Sequence, residues 1–85
     1  MSRFQVKFTN PKAGWDGGDF AKRYLELNKF YDVEDVIVYA WNTDVYLKDF
    51  EDTSFNSAHF TFYIDGVPVE HRDFFKEFGA KYDFL

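Results

Sequence analysis

The 85-residue sequence predicts an α+β fold: a single small domain over residues 1–85, an antiparallel sheet of about four strands with two helices on one face, in β-α-β-β-β-α order. Three observations carry this expectation. "RFQVKF" alternates apolar and polar residues near the start. The stretches after Asp19 and after Glu70 repeat their apolar residues at helical spacing. Between them, "VIVYAW", "VYLKDF" and "AHFTFYI" are short, β-branched and aromatic.

In the first strand Phe4, Val6 and Phe8 share one face and Arg3, Gln5 and Lys7 the other, which is the pattern of a half-buried strand. From Asp19, a good N-cap residue, Phe20, Tyr24, Leu27 and Tyr31 recur at i, i+4, i+7 and i+11 beside Ala21 and Leu25. Val36–Trp41 is apolar throughout and reads as a central strand covered on both faces. "NTD" is the expected turn into "VYLKDF", and "EDTSFNS" the loop that leads into "AHFTFYI". Asp65-Gly66 signals a two-residue hairpin, with "VPVE" as a short returning edge because Pro68 has no N–H to donate. The remainder, "HRDFFKEFGAKYDFL", places Phe74, Phe75, Phe78 and Tyr82 on one side of a helix, with Gly79 capping or loosening its last turn.

The α-β-β-β-α part of this order resembles double-stranded-RNA-binding domains. That family reads phosphates with a basic start to its last helix. This chain has "EHRDFFKE" there, so the resemblance implies an order of elements and no RNA-binding function.

Twelve Phe, six Tyr and two Trp exceed what one small core needs, so some rings must lie on the surface and mark a binding site. Cysteine is absent, which excludes disulfides, thiolate catalysis and cysteine-ligated zinc. The start "MSRFQVKF" has no signal-like apolar core, and no run approaches the roughly 18 residues of a membrane span. No membrane contact is expected, and the expected location is the cytoplasm, that of the host if the protein is viral.

The net charge of −5 is uneven. Residues 1–31 carry six basic and three acidic side chains, residues 32–52 one basic and seven acidic, and residues 53–85 three basic and five acidic. The middle block, which includes Asp44, Asp49, Glu51 and Asp52, repels phosphate backbones and attracts basic surfaces.

Catalytic and cofactor motifs are not found in the sequence. The glycines of "NPKAGWDGGDF" lack the spacing and the Lys-Ser/Thr pair of a phosphate-binding loop, and Asp16 and Asp19 stand where a phosphate would approach. Trp15 in this loop either packs on the core or points outward as a partner anchor. His59 and His71 have no second histidine at ligand spacing, and Asp49, Glu51 and Asp52 lack the order of a calcium loop. No cofactor, metal or enzymatic activity is expected.

Strand parity locates a surface. With Val36, Val38, Val45, Leu47, Phe60 and Phe62 turned inward, Tyr39, Trp41, Tyr46 and Tyr63 face outward, with Gln5, Lys7 and Lys48 around them. The expected function is protein binding: aromatic anchors in an acidic rim that dock on a partner with a basic surface. In size, acidity and lack of a catalytic motif the chain is similar to small viral or phage-encoded inhibitors. That likeness implies charge mimicry of nucleic acid against a nucleic-acid-handling host protein. A single-stranded nucleic-acid binder that stacks bases on the sheet is the first alternative, and phosphate repulsion weighs against it. A small enzyme or ligand-binding domain is the second. A homodimer through the outer face is a further arrangement. The candidate partner-binding residues are Tyr39, Trp41, Tyr46, Tyr63, Asp44, Asp49, Glu51, Asp52 and Trp15.

Overall fold

The computed structural model describes residues 2–13 and 19–83, excepting the side chain of Glu51. Those residues form β1 (Phe4–Phe8), α1 (Asp19–Tyr24), β2 (Phe30–Val38), β3 (Thr43–Leu47) and β4 (Phe50–Asn56). A 3-10 turn (Ser57–His59), β5 (Phe60–Ile64), β6 (Val67–Val69), α2 (His71–Phe78) and β7 (Lys81–Tyr82) follow. The seven strands make one mostly antiparallel sheet in the order β4-β3-β2-β1-β5-β6, with β7 parallel to the end of β2. This corrects the expected four-stranded sheet with two helices on one face: the fold is predominantly β.

Three local departures explain the correction. The helical repeat through Tyr31 ends early, because Asn28 adopts a left-handed backbone (φ 64°) and its N–H bonds to the carbonyl of Phe8 at 2.7 Å. From Phe30 the chain pairs with β1 instead, and the six residues left in α1 are too few to be a stable helix by themselves. The expected loop "EDTSFNS" is mainly strand, since β4 pairs with β3 through Val45–Phe55 and Tyr46–Ser54. Gly79 (φ 81°) ends α2 with its N–H on the carbonyl of Phe75, so Tyr82 lies in β7 and not on the helix. The expected Asp65-Gly66 turn does form, with φ of 52° and 82°.

The sheet curls strongly. Strands β4 and β5 lie four strand spacings apart, ~19 Å if the sheet were flat. The connection from Asn56 to Phe60 spans at most ~14 Å even when fully extended, and it contains a 3-10 turn. The two ends of the path must therefore approach each other, and the ring of Phe55 on β4 lies 6.4 Å from that of Phe60 on β5.

The concave face holds the core. Tyr31, Val6 and Phe62 line up across three strands, as do Val36, Val45 and Phe55, and all six are buried. α2 covers one part of this face, with Phe74 against Phe4 and Phe62. α1 covers another: Phe20 and Tyr24 meet Phe55, and Tyr24 also meets Phe50. Because α1 buries Ala21, and Leu25 follows it into the core, Phe20 and Tyr24 stay 42% and 44% exposed. The expected central strand Val36–Trp41 is not covered on both faces: β2 ends at Val38, and Ile37 on its convex side is only half-buried.

Candidate functional site: the tip of the β2–β3 hairpin

Val38 pairs with Thr43, so strand pairing stops before Trp41 and the turn falls at Ala40-Trp41, not at Asn42–Asp44 as expected. The N–H of Tyr39 donates to the carbonyl of Asn42 at 2.8 Å and closes a two-residue turn. The amide Nδ2 of Asn42 donates to Oδ1 of Asp44 at 3.0 Å, which ties the turn to β3. Trp41 sits at the apex and is 82% exposed. It is therefore a tip residue and not part of the sheet face.

Tyr39 and Asp44 adjoin this tip, and Tyr46 stands two residues further along β3. On the convex face Asp44 lies between Ile37 and Asn56, and Tyr46 between Asp35 and Ser54. The chain returns along β7 after α2, and the N–H of Asp83 donates to the carbonyl of Val38 at 2.8 Å, adding a second carboxylate at this end. Burial raises the pKa of the half-buried Tyr39 hydroxyl, and Asp44, Tyr46 and Asp83 push it the same way. Nζ of Lys81, two residues before Asp83, is 3.1 Å from Oδ2 of Asp35.

The other expected site residues fall elsewhere. Tyr63 is on the convex face of β5, three strands from Tyr46 and so ~14 Å away across the sheet. There it meets Phe30 at 4.9 Å, and Nζ of Lys7 stands 4.8 Å from the Phe30 ring and 5.4 Å from the Tyr63 ring. Gln5 and Asp32 complete that row with a 3.0 Å hydrogen bond. Asp49 is exposed in the β3–β4 turn and Asp52 is exposed on β4, at the opposite end of β3 from Trp41. Glu51 belongs to the same strand, but its side chain, like all of Trp15, lies outside the described residues. Of the expected constellation, the structure thus unites Tyr39, Trp41, Asp44 and Tyr46, and separates Tyr63 and the acids of 49–52. Sequence reading missed Asp83, whose arrival depends on the parallel pairing of β7, and Phe30, which it placed outside any strand.

Both histidines pack against aromatic rings. His59 is buried, with Nδ1 2.9 Å from the carbonyl of Asn10 and its ring against Phe8. The His71 ring packs on Phe62 at the start of α2. Among the described residues no three metal-ligating side chains cluster, and no helix is long and apolar enough to cross a membrane. A cavity of about 420 Å³ opens where β1 begins beside β2, with Arg3, Asp32, Glu34 and Lys48 around Phe4 and Phe78.

Fold and surface together define a small, predominantly β protein of net charge −5 that carries aromatic and carboxylate side chains on its convex side. The chain belongs to the family described as bacteriophage T4 protein Y07B, whose profile matches residues 3–83. It is thus of a phage protein family, in line with the viral class that its size and charge resemble. No curated protein and no solved structure matches the chain.

Proposed function

We infer that this phage protein binds a host protein with a basic surface and does so through the tip of the β2–β3 hairpin. The observation that carries this reading is Trp41, a large ring held in solvent by a hydrogen-bonded turn. A flexible loop would lose entropy on binding, whereas a turn already fixed by Tyr39 and Asn42 loses less. Tryptophan and tyrosine dominate binding energies at protein interfaces, and Tyr39 closes the turn that carries this one. Asp44 and Asp83 supply charge that steers a basic partner and disfavours nucleic acid at this end. An inhibitor that occupies a nucleic-acid-binding groove by charge mimicry needs this combination.

The test is capture of partners from host lysate by the wild type, by Trp41→Ala, and by a variant with Asp49, Glu51 and Asp52 neutralised together. Trp41→Ala is expected to lose the partner. The charge variant is expected to weaken capture and reduce its dependence on salt. If both variants retain every partner, the assignment fails.

A second reading has its own observation. Phe30, Lys7 and Tyr63 form a ring–cation–ring group on the convex face, the chemistry on which single-stranded bases stack. Asp32, in the same row as Tyr63, opposes it. Salt-sensitive quenching of intrinsic fluorescence by a short oligonucleotide, lost in Tyr63→Ala, is the outcome that favours this reading over the first.

A further inference from the structure

We propose that the edge of β4, which no strand among the described residues covers, receives an extended, basic segment of the partner as an added strand. This rests on the partner-binding reading above and names how the partner is held. The two ends of the sheet differ in their capacity for such pairing. At one end β6 has three residues, and its middle residue, Pro68, lacks an N–H. At the other end β4 has seven residues and no proline; Ser54–Asn56 run in continuous register with β3, and the register shifts between there and Phe50.

The pairing pattern shows which backbone groups of β4 point outward. Tyr39 and Asn42 form a hydrogen-bonded pair, and such pairs alternate along an antiparallel ladder. Counting along the register, Ile37–Asp44 is the next hydrogen-bonded pair, so Val45 directs its N–H and carbonyl to β4 and meets Phe55. Ser54, one residue earlier on β4, then points its N–H and carbonyl away from β3 into the open edge. Among the described residues, no turn, loop or cap contributes a backbone hydrogen bond to β4. Unpaired edge groups of this kind template the addition of a further strand.

The chemistry around the edge specifies the occupant. Residues 49–56 hold three acidic residues and no basic one, and Asp49 and Asp52 are exposed. On the concave side, the partly exposed Phe20 and Tyr24 rings lie over Phe55 and Phe50. An incoming strand that alternates basic and apolar residues would set its apolar side chains beside those rings and its basic ones by the carboxylates. A second copy of this chain would instead bring acids to an acidic edge.

The test uses a synthetic eight-residue peptide of alternating lysine and valine, titrated into the full-length, nitrogen-15-labelled protein and followed by NMR. The amide of Ser54 is expected to shift and its hydrogen exchange to slow about tenfold or more, as for a newly bonded N–H. The same peptide N-methylated at alternate residues is expected to bind about tenfold more weakly or worse, because its backbone donors are blocked. An alternating glutamate–valine peptide is expected not to bind. Shifts confined to other elements, equal binding of the N-methylated peptide, or equal binding of the acidic peptide would each overturn the proposal. So would concentration-dependent protection of Ser54 without peptide, which identifies a second copy as the occupant. Peptide binding does not require Trp41, so the two readings separate. Loss of host capture in Trp41→Ala with no peptide effect at Ser54 leaves partner binding standing and removes strand addition. Protection of Ser54 by peptide, with capture lost in the charge variant but unaffected in Trp41→Ala, removes the hairpin-tip assignment alone.

Discussion

The backbone N–H of Tyr39 donates to the carbonyl of Asn42 at 2.8 Å, and this one bond sets Trp41 outside the sheet. A turn placed later, at Asn42–Asp44, would have kept Trp41 in the β2–β3 ladder. Closed where it is, the turn gives the ring little to pack against, and its removal costs the fold little. Trp41→Ala is therefore expected to change unfolding free energy in urea by no more than about 0.5 kcal/mol. Loss of partner capture in that variant then reports on binding and not on unfolding.

Tyr39 gives the fold a dependence on alkaline pH. Its hydroxyl is raised above the ordinary tyrosine pKa in the folded chain, so the folded state keeps the proton to higher pH than the unfolded state. The associated stability is fully present below the unfolded tyrosine pKa and is lost as pH rises through the folded one. In an ultraviolet titration of the six tyrosines, one is expected to ionise later than an ordinary tyrosine. Tyr39→Phe is expected to lack that late step. Asp44→Asn is expected to lower it while leaving it raised, since burial is the larger cause. An unchanged late step in Tyr39→Phe would assign it to another ring.

Phe74 tests the core under α2. It is fully buried, 4.7 Å from the Phe62 ring, 5.4 Å from Phe4 and stacked at 5.8 Å on Phe78. Phe74→Ala is expected to cost about 3–5 kcal/mol, against a total of roughly 5–15 kcal/mol for a small domain. Phe74→Leu keeps most of the volume and is expected to cost less than half as much. Urea unfolding followed by circular dichroism measures both, and equal small losses would mean that α2 contributes little to the core.

Gly79 tests the end of α2. A Cβ there would meet nothing within 4 Å, so the effect of a substitution isolates the left-handed backbone at φ 81°. Gly79→Ala is expected to cost about 1 kcal/mol, and Gly79→Asn less, because asparagine tolerates that region better. Thermal melts of the two variants give the order; a larger loss for asparagine would contradict it.

Parts of this fold are legible residue by residue. Val6, Phe8, Phe60 and Phe62 alternate with polar neighbours, and all four are buried on the expected face. Asp65-Gly66 adopts the backbone its turn demands. Tyr31 shows why β2 was misread. It continues the helical repeat from Phe20, and it also alternates with Val33 as a strand residue. Pairing with Val6 decided between the two, and no local pattern contains that partner. β4 was hidden for a related reason, since Asp52–Ser54 is polar and Ser54 pairs with Tyr46 through backbone groups common to every sequence.

The candidate site divides in the same way. Composition required surface rings, and the charge run at 32–52 made part of the surface acidic; neither depends on the fold. The placement of those groups does. Tyr39 meets Asp44 and Tyr46 because a hairpin closes at Ala40-Trp41, and Asp83 joins them because β7 returns to β2. Tyr63 is carried away because two strands intervene between β5 and β3. Within strands such as β1 and β5, period and polarity over a few residues are enough to say which side chains leave the core. Which of them stand together follows from hydrogen-bonded pairing between segments tens of residues apart, and that pairing exists only in the folded chain.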